Sequence, residues 1–456
     1  MKRFAEKYLV EWKDRKTRKP LILRGARQTG KTYLVEEFAK NSFKTFLKID
    51  FEFNLEIKSI FKNKDPKIII NELSLYFDSK IIPGQILLFF DEIQACPEAI
   101  STLRYFYEKI PELHVIAAGS LLDFTLRDFK YSMPVGRIEF LYIFPLSFDE
   151  FLYAQNPGLY ELISNWTYDV EISETIHRKL SEFLRTFFFT GGMPEAAASW
   201  IENKDFIEVQ RIQTSILTTM QNDFAKYGSR KQQEALQKVL FFIPKNLGRK
   251  VKYVQIDHGV RSKILKDAFY LLKMSYVINL VYKTHGNGIP LDAEHNINIF
   301  KPIFLDIGLV NRTCGLKLTN IENLITVNEG GLAEQFVGQE LLSSGLKFEP
   351  PSLHYWVREE KNSNAEIDYL INNGPTVVPV EVKAGKTGSL KSLHIFLYEK
   401  KLQYGIRLNM DRPSMGGFQT SVRTKNSQNT LDYTLISLPL YLAGQLERIL
   451  NEIWSQ

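Results

Sequence analysis

Eight consecutive residues near the amino end of the chain combine two glycines, a lysine and a threonine at fixed spacing. They are Gly25, Ala26, Arg27, Gln28, Thr29, Gly30, Lys31 and Thr32, which fit the pattern G-x-x-x-x-G-K-[ST] without a mismatch. Glycine tolerates backbone angles closed to other residues, so successive backbone N–H groups can point inward at a phosphate. The pattern predicts an ATP site in which Lys31 reaches the β- and γ-phosphates and Thr32 helps to hold Mg²⁺.

Two acidic residues follow an apolar run further along the chain. The run Ile86–Phe90 is typical of a buried strand, and Asp91 and Glu92 come directly after it. A strand of this kind would carry Asp91 to the carboxyl edge of a sheet, where it can hold the Mg²⁺ of bound ATP. Glu92 would then be placed to polarise an attacking water, which predicts hydrolysis as well as binding. The plainer alternative is a charged loop after a core strand.

Two more residues are candidates for contacts with the phosphates. Ser120 ends the next predicted strand, His114–Ala118 with Gly119, and either contacts the γ-phosphate or is an ordinary serine at a strand end. Arg137 either reaches the phosphates, from the same chain or from a neighbouring subunit, or is a structural surface arginine.

A second group of charged residues lies in the last quarter of the chain. Asp368 is followed by Glu381 and Lys383, which share one face of a strand because side chains at positions i and i+2 point the same way. Two carboxylates and a lysine can hold a divalent metal, activate water and stabilise a scissile phosphate, and Glu334 could add a further carboxylate. The alternative is an exposed charged strand face with a Lys–Glu pair.

The elements that must position these residues change character along the chain. Strands alternating with helices predict an α/β fold with a parallel three-layer sheet over residues 1–150. Residues 151–230 are predicted to be mostly helical, and residues 231–327 to form helices followed by a hairpin, as in a winged helix. Residues 328–456 are predicted to form a separate α/β domain.

Basic side chains occur along one predicted helix of the winged-helix segment. Residues 261–273 include Arg261, Lys263, Lys266 and Lys273. Such a helix either contacts DNA or is an amphipathic helix with a solvated basic face, and winged helices also serve as protein-docking elements.

Composition limits the remaining classes. The net charge is +6, which permits a nucleic-acid partner without requiring one. Cys96 and Cys314 lie far apart and suggest a reducing compartment, and the scattered histidines do not predict a zinc site. The start of the chain lacks the apolar core of a signal peptide, and no run approaches a membrane span, so a cytoplasmic protein is expected.

Taken together, these segments resemble a known family, the prokaryotic AAA-type ATP-binding proteins related to the archaeal ATPases. The resemblance covers nearly the whole chain. Its matching segments are 23–32, 90–94, 118–120, 136–137, 144–151, 191–195, 304–309, 331–334, 366–368 and 380–383. The string at 144–151, Pro-Leu-Ser-Phe-x-Glu-Phe after Phe144, is the specific part, whereas the phosphate loop is common to many families. The resemblance implies an AAA core, a helical and winged-helix middle, and an end with the fold of PD-(D/E)xK restriction endonucleases.

Two functions are consistent with these expectations. The first is an ATPase that acts as a switch coupled to a nuclease-like, DNA-interacting domain, and the second is a non-catalytic ATP-gated switch whose last domain binds DNA or a protein. Convergence of Asp368, Glu381 and Lys383 on an open pocket would favour the first, and burial in internal pairs would favour the second. AAA sites are often completed by a neighbouring subunit, so a homo-oligomer is compatible with both.

Overall fold

The computed structural model of the chain describes residues 1–119, 122, 136–224, 229–315, 330–360, 363–383, 389–423 and 428–455. They form two compact units. The first consists of Met1–Pro145, Met274–Val277 and Leu346–Pro350, and the second of Leu146–Lys273, Ile278–Gly345 and Pro351–Gln456. None of the helices that the structure describes is long and apolar enough to cross a membrane.

The first unit is built on a five-stranded sheet in which every recorded pairing is parallel. Its strands are β1 (Leu21–Arg24), β2 (Thr45–Asp50), β3 (Ile86–Asp91), β4 (His114–Ala118) and β5 (Glu139–Tyr142). Their order is β2-β3-β4-β1-β5. Its helices are α1 (Glu6–Asp14), α2 (Lys31–Ser42), α3 (Pro66–Tyr76) and α4 (Pro97–Lys109). The predicted parallel sheet with interleaved helices is therefore confirmed.

Strand β3 shows why this sheet needs helices on both faces. All six of its residues are buried. Alternate side chains enter two different cores, because the side chains of a strand point to opposite faces in turn. Leu88 and Phe90 pack in one apolar cluster, and Leu87 and Phe89 pack in the other. A continuous apolar run of this kind is the pattern expected of a parallel strand covered on both sides.

The second unit begins with helices and then builds a larger sheet. Its helices are α5 (Phe148–Gln155), α6 (Pro157–Ser164), α7 (Glu174–Thr190), α8 (Pro194–Asn203), α9 (Phe206–Phe224), α10 (Arg230–Phe242), α11 (Ser262–Met274), α12 (Ile307–Thr313), α13 (Gly331–Ser344), α14 (Lys391–Lys400) and α15 (Leu446–Ser455). Helix α5 begins at a capping box, in which Ser147 and Glu150 each satisfy a backbone N–H of the first turn.

The larger sheet has eight strands in the order β12-β13-β11-β10-β9-β8-β6-β7. The strands are β6 (Ile278–Lys283), β7 (Asn296–Phe304), β8 (Leu353–Glu360), β9 (Ser363–Asn373), β10 (Thr376–Val382), β11 (Tyr404–Asn409), β12 (Ser414–Arg423) and β13 (Gln428–Pro439). Strands β8, β9 and β10 pair antiparallel in succession. Strand β11 then pairs parallel with β10, with α14 between them in sequence.

The hairpin expected near residues 276–305 is present as β6 and β7, which pair antiparallel. Strand β6 also pairs in parallel with β8, so the hairpin belongs to the same sheet as the later strands. Strands on both sides of the predicted boundary at 327/328 therefore lie in one sheet. That boundary itself falls outside the described residues, and the winged-helix assignment stays a prediction.

Candidate functional site

The phosphate loop joins β1 to α2, as the pattern predicted. Gly30 has φ 82° and Gly25 has φ 143°, backbone angles that glycine adopts far more readily than other residues. A Cβ atom built at Gly25 would overlap the carbonyl oxygen of Ile143, which follows the neighbouring strand β5. Glycine is thus required at position 25 by both the backbone angle and the available space.

Lys31, Thr32 and Asp91 come together at the carboxyl edge of the sheet. The Lys31 ammonium is buried and donates hydrogen bonds to the carbonyl oxygens of Gly25 and Ala26, at 3.1 and 2.7 Å. The Thr32 hydroxyl lies 3.2 and 3.1 Å from the two carboxylate oxygens of Asp91. Burial lowers the pKa of Lys31 to about 8, and the neighbouring carboxylates of Glu92 and Asp91 oppose that shift.

Glu92 follows β3 in a left-handed backbone conformation, with φ 49°. Its carboxylate accepts a hydrogen bond from the Gln94 side chain. Burial raises the pKa of Glu92, while the Gln94 hydrogen bond and the Lys31 charge oppose the shift. A carboxylate with a raised pKa beside a phosphate loop is chemically suited to accept a proton from water.

Lys48 contributes to this edge, although the sequence pattern gave no reason to select it. Its ammonium lies 3.1 Å from Asp91 Oδ2 and 3.0 Å from Glu36 Oε1. The strand β2 that carries Lys48 pairs with β3 in register, with Asp50 opposite Asp91. Burial opposes the charged form, but hydrogen bonds to Glu36 and Asp91 outweigh it and raise the pKa of Lys48.

Arg3 is a second contributor that the sequence did not indicate. This residue lies ahead of α1, is 6% exposed, and donates hydrogen bonds to two backbone carbonyls. One is the carbonyl of Thr29 within the phosphate loop, at 2.7 Å, and the other is that of Phe144 after β5, at 2.8 Å. The guanidinium therefore ties the phosphate loop to the chain that leaves the neighbouring strand.

Two other predicted contacts have different outcomes. Ser120 lies outside the described residues. Arg137 pairs with Glu108, with 3.0 Å between Nε and Oε1, and precedes β5 at the end where Glu139 lies opposite Leu21. The phosphate loop follows the other end of β1, so in this structure Arg137 forms a surface ion pair at the opposite end of the strands. Its contact with phosphates of its own chain stays a prediction, and so does its contact from a neighbouring subunit.

Asp368 and Glu381 lie on the neighbouring strands β9 and β10, and Lys383 directly follows β10. The amide of Val382 donates a 2.8 Å hydrogen bond to Asp368 Oδ2. The Lys383 ammonium lies 2.5 Å from Glu381 Oε1. Glu381 is 3% exposed, and its Oε2 atom is buried without a hydrogen-bond partner among the described residues. Burial raises the pKa of Glu381, and the negative charge of Asp368 adds to the shift.

A lysine that the sequence did not single out lies among these carboxylates. The Lys301 ammonium of β7 is almost fully buried. It lies 2.8 Å from Glu366 Oε1, 3.2 Å from Glu334 Oε2 and 3.8 Å from Asp368 Oδ1. These carboxylates outweigh the effect of burial and raise the pKa of Lys301 well above its ordinary value. An internal cation therefore offsets one of the negative charges of this cluster.

In this arrangement the carboxylates of the predicted second metal site are held in separate ion pairs, and metal binding there stays a prediction. Glu334, Asp368 and Glu381 do not bring one carboxylate oxygen each within 4.8 Å of one another. The physical reason is that the Lys301 ammonium lies between Glu334 and Asp368 and that Glu381 pairs with Lys383. The residues converge, but Glu381 is buried, Glu334 and Asp368 are partly buried, and their carboxylates lie in internal ion pairs.

The basic stretch 261–273 forms α11 and is amphipathic. Its apolar side chains are buried at helical spacing, at Leu265, Ala268, Phe269 and Leu272. Arg261, Lys263 and Lys266 are exposed, and the Lys273 ammonium hydrogen-bonds to the Tyr282 hydroxyl at 3.0 Å. The solvated basic face is thus present, and contact with DNA stays a prediction.

Comparison with known proteins gives three family matches. A model described as an AAA domain matches residues 17–152. Two models described as domains of unknown function match residues 181–320 (DUF8612) and 329–436 (DUF4143). No curated protein sequence matches the chain.

Several solved structures are similar to part of this chain at low identity. The Walker-type ATPase PABY2304 of Pyrococcus abyssi is 16% identical over 68% of this chain and 94% of its own, with a TM-score of 0.43. The Aeropyrum pernix ORC2 protein, in ADPNP–ADP complexes, is 10% identical over 67% and 86%, with a TM-score of 0.35. C. elegans PCH-2 is 11% identical over 44% and 59%, with a TM-score of 0.25. Similarities this weak carry no argument about activity.

The residues matched by the AAA domain model include the phosphate loop whose geometry is described above. The match spans β1, the loop, β3 with Asp91 and Glu92, and β5. We conclude that residues 17–152 form a P-loop ATPase domain of the AAA type.

Proposed function

We propose that this protein is a Mg²⁺-dependent ATPase that acts as a nucleotide-dependent switch. The observation that carries the proposal is the meeting of the Thr32 hydroxyl and the Asp91 carboxylate, 3.1–3.2 Å apart, beside the loop that holds Lys31. Hydroxyl and carboxylate oxygens are the ligands that Mg²⁺ prefers, and Mg²⁺ sites commonly use only one or two protein oxygens together with nucleotide phosphates. The residues present therefore fit this ion.

The residues around the loop have separate roles in hydrolysis. Thr32 and Asp91 would hold the Mg²⁺, which supplies neutralisation of negative charge on the phosphates. The backbone N–H groups of the loop and the Lys31 ammonium bind the same oxygens. Glu92 accepts a proton from the attacking water, and the Gln94 amide orients its carboxylate.

Turnover of ATP by the purified full chain, with and without DNA, tests this function. We expect Mg²⁺-dependent release of phosphate that Lys31→Ala and Asp91→Asn both abolish. Glu72→Gln is the matched control, since Glu72 is an exposed carboxylate on α3 away from the loop. Phosphate release from the wild type that does not exceed that of Lys31→Ala would refute the proposal.

For the second unit, the geometry favours the non-catalytic form of the switch. The support comes from Lys301, whose buried ammonium lies near the carboxylates of Glu334, Glu366 and Asp368 and offsets one of their negative charges. Lys383 adds a second positive charge beside Glu381. Burial raises the pKa of Glu334 to about 7 and that of Glu381 to about 8, so these carboxyls carry only part of their negative charge near neutral pH and less is left to attract a divalent cation. We therefore propose that this unit serves binding, and that nucleotide changes its affinity for DNA or a protein.

A metal-dependent nuclease is the second candidate, favoured by one observation. Asp368, Glu381 and Lys383 meet at adjacent strands, and Glu381 Oε2 is a buried acceptor without a partner among the described residues.

Cleavage assays separate the two candidates. If the unit is non-catalytic, plasmid and single-stranded DNA stay intact with Mg²⁺ or Mn²⁺, with and without ATP, and Asp368→Ala changes nothing chemically. Metal-dependent cleavage by the wild type that Asp368→Ala abolishes, with ATP binding preserved, would instead establish the nuclease. Lys263→Ala together with Arg261→Ala tests DNA contact by α11, because both side chains are exposed there. Unchanged DNA affinity in this double variant would remove the helix from the interface.

A further inference from the structure

Three potential metal ligands come together in the second unit, away from the carboxylates described above. Asp292 and His295 lie at the 3-10 turn Leu291–Glu294, in the connection between β6 and β7. His354 lies on β8, where it pairs in register with Tyr282 of β6. Residues separated by about 60 positions in sequence thus meet because β6 and β8 are neighbours in the sheet. This separation explains why the spacing of histidines in the sequence did not predict a site.

The distances between the ligand atoms suit a small tetrahedral ion. Asp292 Oδ1 lies 3.0 Å from His354 Nε2 and 3.3 Å from His295 Nδ1. One ligand atom from each of the three residues lies within 4.8 Å of the others, and no other group of three in the described part of the chain meets this condition. Ligands about 2.0–2.1 Å from a tetrahedral Zn²⁺ are separated from one another by roughly 3.3 Å.

We propose that Asp292, His295 and His354 bind a divalent transition metal of the Zn²⁺ class. Two imidazoles and one carboxylate are typical ligands of Zn²⁺ and its first-row neighbours, whereas Mg²⁺ and Ca²⁺ prefer oxygen ligands alone. Three protein ligands leave a fourth position for water or an oxygen-bearing ligand. The half-exposed Asp292 side chain provides the approach from solvent.

The ring nitrogen of His295 gives an independent reason to expect an ion here. Its Nδ1 atom is buried and has no hydrogen-bond partner among the described residues, although it lies near Asp292. Buried polar atoms are nearly always satisfied, and an unsatisfied one calls for an explanation such as an ion. His295 Nδ1 and His354 Nε2 both approach Asp292 Oδ1, the oxygen to which the Ser352 hydroxyl also donates.

The surrounding residues hold the ligands in place. The side chain of Leu291 is anchored in the apolar core of this unit, and its carbonyl accepts a 3.1 Å hydrogen bond from Thr284 Oγ1. The His295 ring stacks on Tyr282, with ring centroids 5.0 Å apart. The Ser352 hydroxyl donates a 2.8 Å hydrogen bond to Asp292 Oδ1. Supporting contacts of this kind orient the groups that bind a metal and strengthen the site.

The test is a titration of the full chain, freed of metal by chelation, with Zn²⁺ and separately with Co²⁺. We expect one equivalent of Zn²⁺ at this site and, for Co²⁺, the visible absorption of a tetrahedral complex. Asp292→Ala and His295→Ala should each weaken Zn²⁺ binding by more than the roughly 10–100-fold that loss of a supporting residue costs. His285→Ala is the matched control, because His285 is an exposed histidine of the same connection that is not among the three ligands.

Two readouts keep the result interpretable. Zn²⁺ should raise the unfolding temperature of the wild type and of His285→Ala, since an ion that binds only the folded chain stabilises it. Zn²⁺ should not raise the unfolding temperature of Asp292→Ala. Because Asp292 is exposed, its replacement by alanine should leave the fold intact. Absence of Zn²⁺ binding by the wild type, or equal binding by Asp292→Ala and His295→Ala, would overturn the proposal. ATP turnover is a separate measurement, so failure of this site leaves the ATPase proposal untouched.

Discussion

The contact between Arg3 and the phosphate loop leads to a prediction that no nucleotide-binding pattern contains. Arg3 contacts the loop through the Thr29 carbonyl and donates to the Phe144 carbonyl with the same guanidinium. We expect Arg3→Ala to weaken ATP binding although the residue lies outside the loop. In this variant Arg3 no longer holds the loop, so part of the favourable free energy of ATP binding is used to order the loop, and the net binding is weaker.

The magnitude follows from the two hydrogen bonds. A hydrogen bond that involves a charged group contributes about 1.5–3 kcal/mol to stability, and two bonds of one side chain are not additive, so we expect a loss of about 2–4 kcal/mol. Because Arg3 is only 6% exposed, water cannot readily hydrogen-bond to the two carbonyls after the guanidinium is removed. If about 1.4 kcal/mol of this loss falls on ordering the loop, ATP affinity drops about tenfold.

The assay is titration with a fluorescent ATP analogue, combined with urea unfolding. Arg18→Ala is the matched control, because the Arg18 guanidinium also donates to backbone carbonyls, those of Pro111 and Glu112, but away from the loop. We expect Arg18→Ala to keep wild-type ATP affinity. Arg3→Lys should recover part of the affinity, since a lysine can reach one carbonyl but not bridge two. Wild-type affinity in Arg3→Ala would refute the reasoning.

Three further predictions concern single residues. Gly25→Ala should abolish measurable ATP binding in the same titration, because a Cβ atom there overlaps the Ile143 carbonyl; retained affinity would show that the loop can shift. Glu92→Gln should keep ATP affinity but lower turnover by about 10²–10⁴-fold, the usual contribution of a general base, and unchanged phosphate release would exclude that role. Burial raises the pKa of Asp149 to about 6 in the folded chain, whereas an unfolded aspartate titrates near pH 4. Between about pH 4 and 6 the folded chain therefore binds more protons than the unfolded chain. The free energy of unfolding consequently falls as pH rises through this range. Asp149→Asn should flatten that slope in urea unfolding measured across this range, and an unchanged slope would assign the dependence to other groups.

Local pattern was sufficient to find the phosphate loop and β3. Both signals lie within a few residues. The continuous apolar run seen in the sequence corresponds to the burial of β3 on both of its faces. The same holds for α11, whose buried side chains keep helical spacing. Features encoded by neighbouring residues are therefore recoverable from one sequence.

Contacts between distant segments were not recoverable in this way. Lys301 meets Glu334 and Asp368 only because the β6–β7 hairpin lies in the same sheet as β9, a pairing that no local pattern encodes. Lys48 beside Asp91 depends on the register of β2 against β3. The position of Arg137 at the end of the strands opposite to the phosphate loop likewise follows from strand direction.

The pairing of β6 with β8 has a practical consequence for dividing the protein. A fragment that starts at residue 328 would keep β8 but lose β6, its partner on one side. It would also lose Lys301, which leaves the partly buried carboxylates of Glu334 and Asp368 without their counter-charge. An unpaired strand edge promotes aggregation, and an uncompensated buried charge opposes folding. Expression of this region on its own should therefore begin upstream of Ile278.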